Sequence, residues 1–184
     1  MNFKLFDLVN QLAGKSKLMD NIMIIFSKYV PIIFAIVILV LYIYGFVKKD
    51  KNTRAIAINT GVFTVLNLFL SAMIGMVYYH PRPFVSHDVN LLFPHSPNAS
   101  FPSDHSTFTM SIALGINKYS KVYGVILIAL SCIVGVSRLY VGHHYPLDVI
   151  GAYILVFITN FLYSKFLSKK VANLYLKLEG KIIK

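Results

Sequence analysis

The chain has 184 residues, of which 57% are hydrophobic, and it carries a formal net charge of +11. This length predicts a single domain, and the apolar fraction excludes an ordinary water-soluble globule, so the expected solvent is lipid. The lone cysteine, Cys132, excludes an internal disulfide. Lysines stand beside apolar runs and form no separate basic domain, which indicates a membrane surface as the anionic partner and argues against nucleic acid.

The N-terminal segment, residues 1–28, combines apolar and polar residues at roughly helical spacing. Phe3, Phe6 and Val9 recur among polar neighbours, which predicts an amphipathic helix within residues 1–20 that lies in the membrane interface. A frayed polar terminus is the alternative. A second short helix is expected over residues 18–28, before Pro31 introduces the first long apolar run.

Five apolar segments follow, judged against the roughly 20 helical residues that cross the hydrocarbon core. They cover residues 29–47, 55–79, 102–117, 121–141 and 146–166. The third has only about 16 residues, or about 24 Å at 1.5 Å per residue, so we expect it to begin below the lipid surface. Residues 168–184 predict a basic amphipathic surface helix. The predicted fold class is therefore all-α, a polytopic membrane helical bundle with about five transmembrane helices.

Alternation of these spans across the bilayer places the reactive side chains at one end of the bundle. They are Arg82 after the second span, Ser103 and His105 at the start of the third, Arg138 at the end of the fourth, and His144 and Asp148 at the start of the fifth. Most other basic residues gather at the opposite end, in residues 48–54, 118–121 and 165–184. By the positive-inside tendency, we expect a multi-pass protein of the plasma membrane whose reactive end is extracytoplasmic. The four lysines within residues 4–28 weaken this bias without reversing it.

Two histidines and one carboxylate at this end suit general acid and nucleophilic chemistry. His144 and Asp148 are four residues apart, which on a helix places them on one face. The carboxylate is expected to hold one imidazole nitrogen and leave the other free to attack. His105 remains available to protonate a leaving oxygen.

The remaining polar groups at this end suit phosphate binding. Arg82 and Arg138 offer planar guanidinium groups that match phosphate oxygens. Pro102 at a helix start is expected to aim the backbone amides of Ser103 and Asp104 at the same anion. Phosphoryl transfer needs its charge stabilised and its reacting atoms held in line, and these residue types supply both without a metal or cofactor.

Two other functions compete with phosphoryl transfer. A metal site is the first, built from His105, His143, His144 and Asp148, but two arginines converging on the pocket would repel a dication. A transporter or membrane scaffold is the second, although its charges would lie along a transport path and here all gather at one end. The histidines His80, His87, His95 and His143 are interpreted as loop or structural residues.

Three motifs resemble those of the type 2 phosphatidic acid phosphatase superfamily, which shares its site with vanadium haloperoxidases. They are Arg82-Pro83, Pro102-Ser103-Asp104-His105, and Ser137-Arg138 followed by His144 and Asp148 at the family spacing. Two positions depart from the family pattern. Gly75 stands where the family has a phosphate-binding lysine, and Asp104 stands where it has a glycine. The pattern is most similar to that of undecaprenyl diphosphatases of the bacitracin-resistance type.

The resemblance implies a role for each matched residue within a single membrane phosphatase domain, residues 1–184. His144 becomes the phosphohistidine, Asp148 orients it, and His105 acts as acid and later activates water. Phosphate binding falls to Arg82, Ser103, Arg138 and the backbone amide of Asp104. The implied reaction is hydrolysis of undecaprenyl diphosphate to the monophosphate, with a phosphatidylglycerol phosphate or phosphatidic acid phosphatase as the alternative. The implied partners are a polyprenyl or glycerolipid phosphate and the bilayer, and the oligomeric state is left open.

Overall fold

A computed structural model describes residues 2–182, which form nine helices and no strand. The helices are α1 (Asn2–Asn10), α2 (Lys17–Lys28), α3 (Val30–Val47), α4 (Lys51–Val77), α5 (Pro83–Ser86), α6 (Asp104–Ile116), α7 (Lys121–Tyr140), α8 (Pro146–Phe166) and α9 (Ser168–Ile182). The predicted all-α fold is confirmed. The predicted tail helix extended to Lys184, but Ile183 and Lys184 lie outside the described residues.

Four helices, α3, α4, α7 and α8, are long and apolar enough to cross a membrane. The chain is a multi-pass membrane protein. The predicted third span corresponds to α6, which has 13 residues, so its length is about 20 Å and falls short of the hydrocarbon thickness. It begins later than predicted because Pro102 lies in a bend and Ser103, the N-cap, has an extended backbone. Helix α4 begins earlier than predicted because the Asp50 carboxylate accepts the N–H groups of Asn52 and Thr53.

Helix α6 lies at the centre of the bundle. Its residues from Thr109 to Ile116 are all buried, and it packs against α3, α4, α7 and α8. The hydroxyls of Thr109 and Ser131 hydrogen-bond at 2.7 Å between α6 and α7. Gly115 faces Thr60 of α4 so closely that any side chain there would overlap it. Small and hydroxyl-bearing residues thus let these helices pack closely and hydrogen-bond directly to each other.

The two N-terminal helices pack against the bundle rather than lying free in the interface. Phe6 and Asn10 of α1 are buried, and the Asn10 amide donates to the carbonyls of Asn90 and Tyr140, both at 2.9 Å. Helix α2 packs on α7 and buries Ser27 completely. The amphipathic helix predicted within residues 1–20 ends at Asn10, since Gly14 has a φ of +81° and Ser16 caps α2. The frayed alternative is wrong for residues 2–10.

The basic clusters meet at the other end of the bundle. Arg54 pairs with Glu179 of α9 at 2.5 Å and also donates to the carbonyl of Gly45 at 2.7 Å. Lys118 donates to the hydroxyl of Ser164 at 2.9 Å. The tail helix is therefore held to α4 by a buried ion pair, at the end of the bundle where α3 ends and α4 begins.

Candidate active site

His144 is buried in the turn between α7 and α8, and its two ring nitrogens have distinct partners. Nδ1 lies 2.9 Å from the carbonyl oxygen of Ser100, which can only accept, so Nδ1 carries the proton. Nε2 lies 2.9 Å from Nη1 of Arg82, which can only donate. Burial, followed by the charges of Arg82 and Arg138, holds the pKa of His144 well below its usual value. The imidazole is therefore neutral, with its lone pair on Nε2.

Asp148 contacts His144 as the four-residue spacing predicts, but it does not hold the imidazole by a direct hydrogen bond. Its Oδ2 lies 3.5 Å from Nδ1 and accepts instead from the hydroxyl of Ser100 and the N–H of Tyr145. The position of Asp148 in the first turn of α8 explains this, because a carboxylate there bonds back to the N-cap backbone. Ser100 therefore connects the two residues, with its hydroxyl on Asp148 and its carbonyl on His144.

Arg82 is held in place by the loop that follows it. Its guanidinium donates to the side chain of Asn98 at 2.9 Å and to the carbonyls of Ala99 at 3.3 Å and His143 at 3.0 Å. The side chain is almost completely buried. Arg82 is thus fixed beside the Nε2 atom of His144 before any substrate binds, which places a positive charge where a phosphate would develop negative charge.

Arg138, on the last turn of α7, is 1% exposed and has one partner among the described residues. Its Nη1 donates to the hydroxyl of Ser27 at 2.6 Å, while Nε and Nη2 are buried without a hydrogen-bond acceptor in residues 2–182. Unpaired donors on a buried charge are costly. An anion that accepts both would remove that cost, so these atoms indicate a phosphate position.

The N-terminus of α6 differs in part from the prediction. The N–H of Ser103 donates to the carbonyl of Asp148 at 3.1 Å and so is not free for an anion. Its hydroxyl accepts from Ser106 at 3.1 Å and is buried. The Asp104 carboxylate is exposed and accepts from the hydroxyl of Ser71 at 2.7 Å, which fixes it toward α4. It lines a cavity of about 400 Å³ that Gly75 also lines.

His105 lies half-buried in the first turn of α6. It lines a cavity of about 230 Å³ with Pro31, Leu68, Asp104 and Phe108. Phe108 also lines a long apolar groove of about 670 Å³ between α3 and α4. The cavity at His105 and this groove therefore share Phe108 as a lining residue.

The four histidines outside the motifs have different surroundings. Nε2 of His143 lies 2.9 Å from the Phe93 carbonyl, and burial lowers its pKa to about 2, which agrees with a structural role. His95 lies against His143 with ring centroids 4.6 Å apart. His80 lies closer to the candidate active site than expected, because its Nδ1 is 4.0 Å from Oδ1 of Asp148. His87 is exposed, and its ring packs at a tilt of 31° against Phe3 with centroids 4.0 Å apart.

The rival metal site is not assembled within residues 2–182. No three His, Cys, Asp or Glu side chains of that part of the chain come together as metal ligands. Of the proposed ligands, His143 bonds the backbone and His144 faces a guanidinium. A neutral histidine beside buried arginines at one end of a helical membrane bundle instead suits phosphoryl transfer, the chemistry of a membrane phosphatase.

Comparisons with known proteins agree with this class. The PAP2 superfamily matches residues 56–172, and the chain belongs to that superfamily. Undecaprenyl-diphosphatase BcrC of Bacillus subtilis is 32% identical over 166 residues, covering 90% of this chain and 84% of the relative. The protein is a membrane lipid phosphatase.

Two solved structures share the fold. The crystal structure of Aquifex aeolicus LpxE has a TM-score of 0.72 and 27% identity, covering 90% of this chain and 95% of the other. The PAP2-type phosphatidylglycerolphosphate phosphatase of Bacillus subtilis has a TM-score of 0.64 and 21% identity, with coverages of 91% and 86%. At that identity, the second likeness concerns the fold alone.

Proposed function

We propose that the protein hydrolyses undecaprenyl diphosphate to undecaprenyl phosphate and inorganic phosphate through a phosphohistidine on His144. The observation that carries the mechanism is the neutral imidazole whose Nε2 lies 2.9 Å from Nη1 of Arg82, together with the Arg138 donors that have no partner within residues 2–182. The choice of a polyprenyl diphosphate is supported by the BcrC relative at 32% identity. An apolar groove that shares Phe108 with the cavity at His105 supports a long lipid chain.

The reaction begins when the terminal phosphate takes the donors of both arginines. Nη1 of Arg82 then leaves Nε2, whose lone pair attacks the phosphorus while the bond to the bridging oxygen breaks. His105 protonates that oxygen, and the polyprenyl phosphate leaves. His105 next accepts a proton from water, the resulting hydroxide attacks the phosphohistidine, and the P–N bond breaks to release inorganic phosphate. Asp148, acting through Ser100, keeps the proton on Nδ1 of His144.

The orientation in the membrane is part of this proposal. Basic residues such as Lys118 and Arg54 lie at the end of the bundle away from the site. By the positive-inside tendency the site then faces the extracytoplasmic side of the plasma membrane. A glycerophospholipid phosphatase with the same catalytic residues is the alternative, because the groove is apolar along its length and fits an acyl chain as well as a polyprenyl chain.

Phosphate release in mixed micelles tests the proposal. We expect the highest kcat/KM for undecaprenyl diphosphate, compared with phosphatidylglycerol phosphate and phosphatidic acid, and full turnover after exhaustive chelation. His144→Ala should insert normally and lose at least about 100-fold in turnover, because an aliphatic side chain carries no phosphoryl group. Higher efficiency on either glycerolipid would favour the alternative substrate. Substantial turnover by His144→Ala would exclude the covalent route.

A further inference from the structure

The candidate active site has few positive charges for a diphosphate substrate. The proposed reaction assigns the two buried arginines of the site, Arg82 and Arg138, to the terminal phosphate, and Gly75 provides no charge. Asp104 adds a carboxylate beside the cavity that holds His105. A second phosphate bound next to these groups therefore requires another cation.

Lys28 is an exposed cation that follows Ser27, the partner of Arg138, in the chain. It ends α2, and its Nζ lies 4.9 Å from the ring centroid of Phe93, so the ammonium group is directed toward the loop between α5 and α6. The Phe93 carbonyl is bonded by His143 at 2.9 Å, and the carbonyl of His143 accepts from Arg82 at 3.0 Å. Lys28 is thus connected to one phosphate-binding arginine through two packed residues.

The neighbours of Lys28 in the chain contact the other parts of the site. Ser27 accepts from Arg138 at 2.6 Å, and Pro31 lines the cavity that contains His105. Lys28 is exposed, whereas both arginines are buried. Its flexible stem can therefore place the ammonium group over the mouth of the pocket, outside the volume that the terminal phosphate occupies.

We propose that Lys28 supplies the cation that binds the second, lipid-linked phosphate of a diphosphate substrate. This inference rests on the proposed function and adds the residue that distinguishes a diphosphate from a monophosphate. A lysine in this position also matches the anchoring of a helix end by lipid headgroups, which predicts no such distinction. The two roles are separated by comparing ligands that carry the same chain and differ by one phosphate.

The test uses the full chain in mixed micelles with three variants, Lys28→Gln, Lys28→Arg and Lys17→Gln. Lys17 begins α2 and lies about 16 Å from Lys28 along the helix, so its replacement removes the same charge away from the site. Two quantities are measured, kcat/KM for polyprenyl diphosphate and the inhibition constant of the monophosphate with the same chain. Lys28→Gln should lower the first about tenfold and change the second less than about twofold. Lys28→Arg should retain most of the efficiency, and Lys17→Gln should change neither quantity.

Equal losses for both ligands, or no loss in Lys28→Gln, would overturn the role of Lys28. A matching loss in Lys17→Gln would also overturn it, because the effect would then belong to net charge. Failure of the proposed function has a different signature, since the wild-type protein itself would not cleave the diphosphate.

Discussion

Two buried serines position the reactive groups, although neither belongs to a sequence motif. The Ser100 carbonyl fixes the proton of His144 on Nδ1, and the Ser100 hydroxyl holds Asp148. The hydroxyl of Ser27 holds Nη1 of Arg138 at 2.6 Å. Such contacts restrict the rotamers of the groups that we propose to bind the substrate.

Replacing Ser27 should weaken phosphate binding through Arg138. Ser27→Ala leaves Nη1 of a buried guanidinium without its partner, so the side chain is free to turn away from the anion. We expect about a tenfold loss in kcat/KM and an equal rise in the inhibition constant of vanadate, which adopts the transition-state shape. Ser27→Thr should restore much of both, because it keeps the hydroxyl.

Ser111→Ala provides the matched control for Ser27→Ala. Ser111 is also fully buried in a helix, and its hydroxyl donates to the carbonyl of Thr107, away from the arginines. Its loss should leave vanadate inhibition unchanged. If Ser27→Ala behaves like Ser111→Ala, then Ser27 has only a packing role.

The sequence predicts the motif residues and misses the serines for a physical reason. His144 and Asp148 are four residues apart across the start of α8, with His144 in the preceding turn, so local geometry alone brings them together. Ser27 and Arg138 are 111 residues apart, and Ser100 and His144 are 44 apart, so their contacts depend on how helices pack. Even the contact between His144 and Asp148 is predicted only in part. The spacing predicts that the two side chains are close, but it does not predict which oxygen accepts the hydrogen bond from the imidazole N–H.

The elements of the bundle divide between those set by hydropathy and those set by packing. Apolar runs predict α3, α7 and α8 to within one residue at each end. The positions of amphipathic helices such as α1 and α2 are harder to predict from the sequence, because the same apolar face can pack on lipid or on protein. Here α2 buries Ser27 against α7 and so becomes part of the site. The short α6 leaves room at its N-terminal end for the pocket that His105 lines.

The groove between α3 and α4 should determine how well a long lipid chain is accepted. Gly61 lines it, and a side chain added there meets no atom within 4 Å. Gly61→Leu should therefore fold normally, since leucine favours helix more than glycine does, while its side chain fills part of the groove. We expect roughly a fivefold loss in kcat/KM for undecaprenyl diphosphate and little change for a short-chain diphosphate, measured in the same micelles.

The control for the groove is Gly180→Leu on α9. This glycine is equally open, but it lies at the far end of the bundle beside Glu179. It should change neither substrate. A loss for long and short chains alike in Gly61→Leu would indicate a distorted site and would exclude the groove as the position of the chain.

The two ends of the molecule bury different kinds of polar side chain. At one end, a charged pair, Arg54 and Glu179, fixes α9 to α4. At the other end, histidines are buried in their neutral form among arginines, with His143 bonded to the loop and His144 facing Arg82. The folded state therefore opposes protonation of His143 and His144, and global stability should depend on pH.

His143 makes this dependence measurable because it is fully buried and its folded pKa is lowered to about 2, first by burial and then by the charge of Arg138. In the unfolded chain its pKa is about 6.5, so below that pH the unfolded state binds the additional proton. The stabilisation is complete above pH 6.5 and is lost as pH falls toward the folded pKa, at about 1.4 kcal/mol per pH unit. Thermal unfolding in detergent at pH 7.5 and pH 5 should show His143→Gln losing about 2 kcal/mol less than wild type, while His87→Gln, at an exposed position, should match wild type. An identical loss in His143→Gln and wild type would mean that the buried histidine does not couple folding to pH.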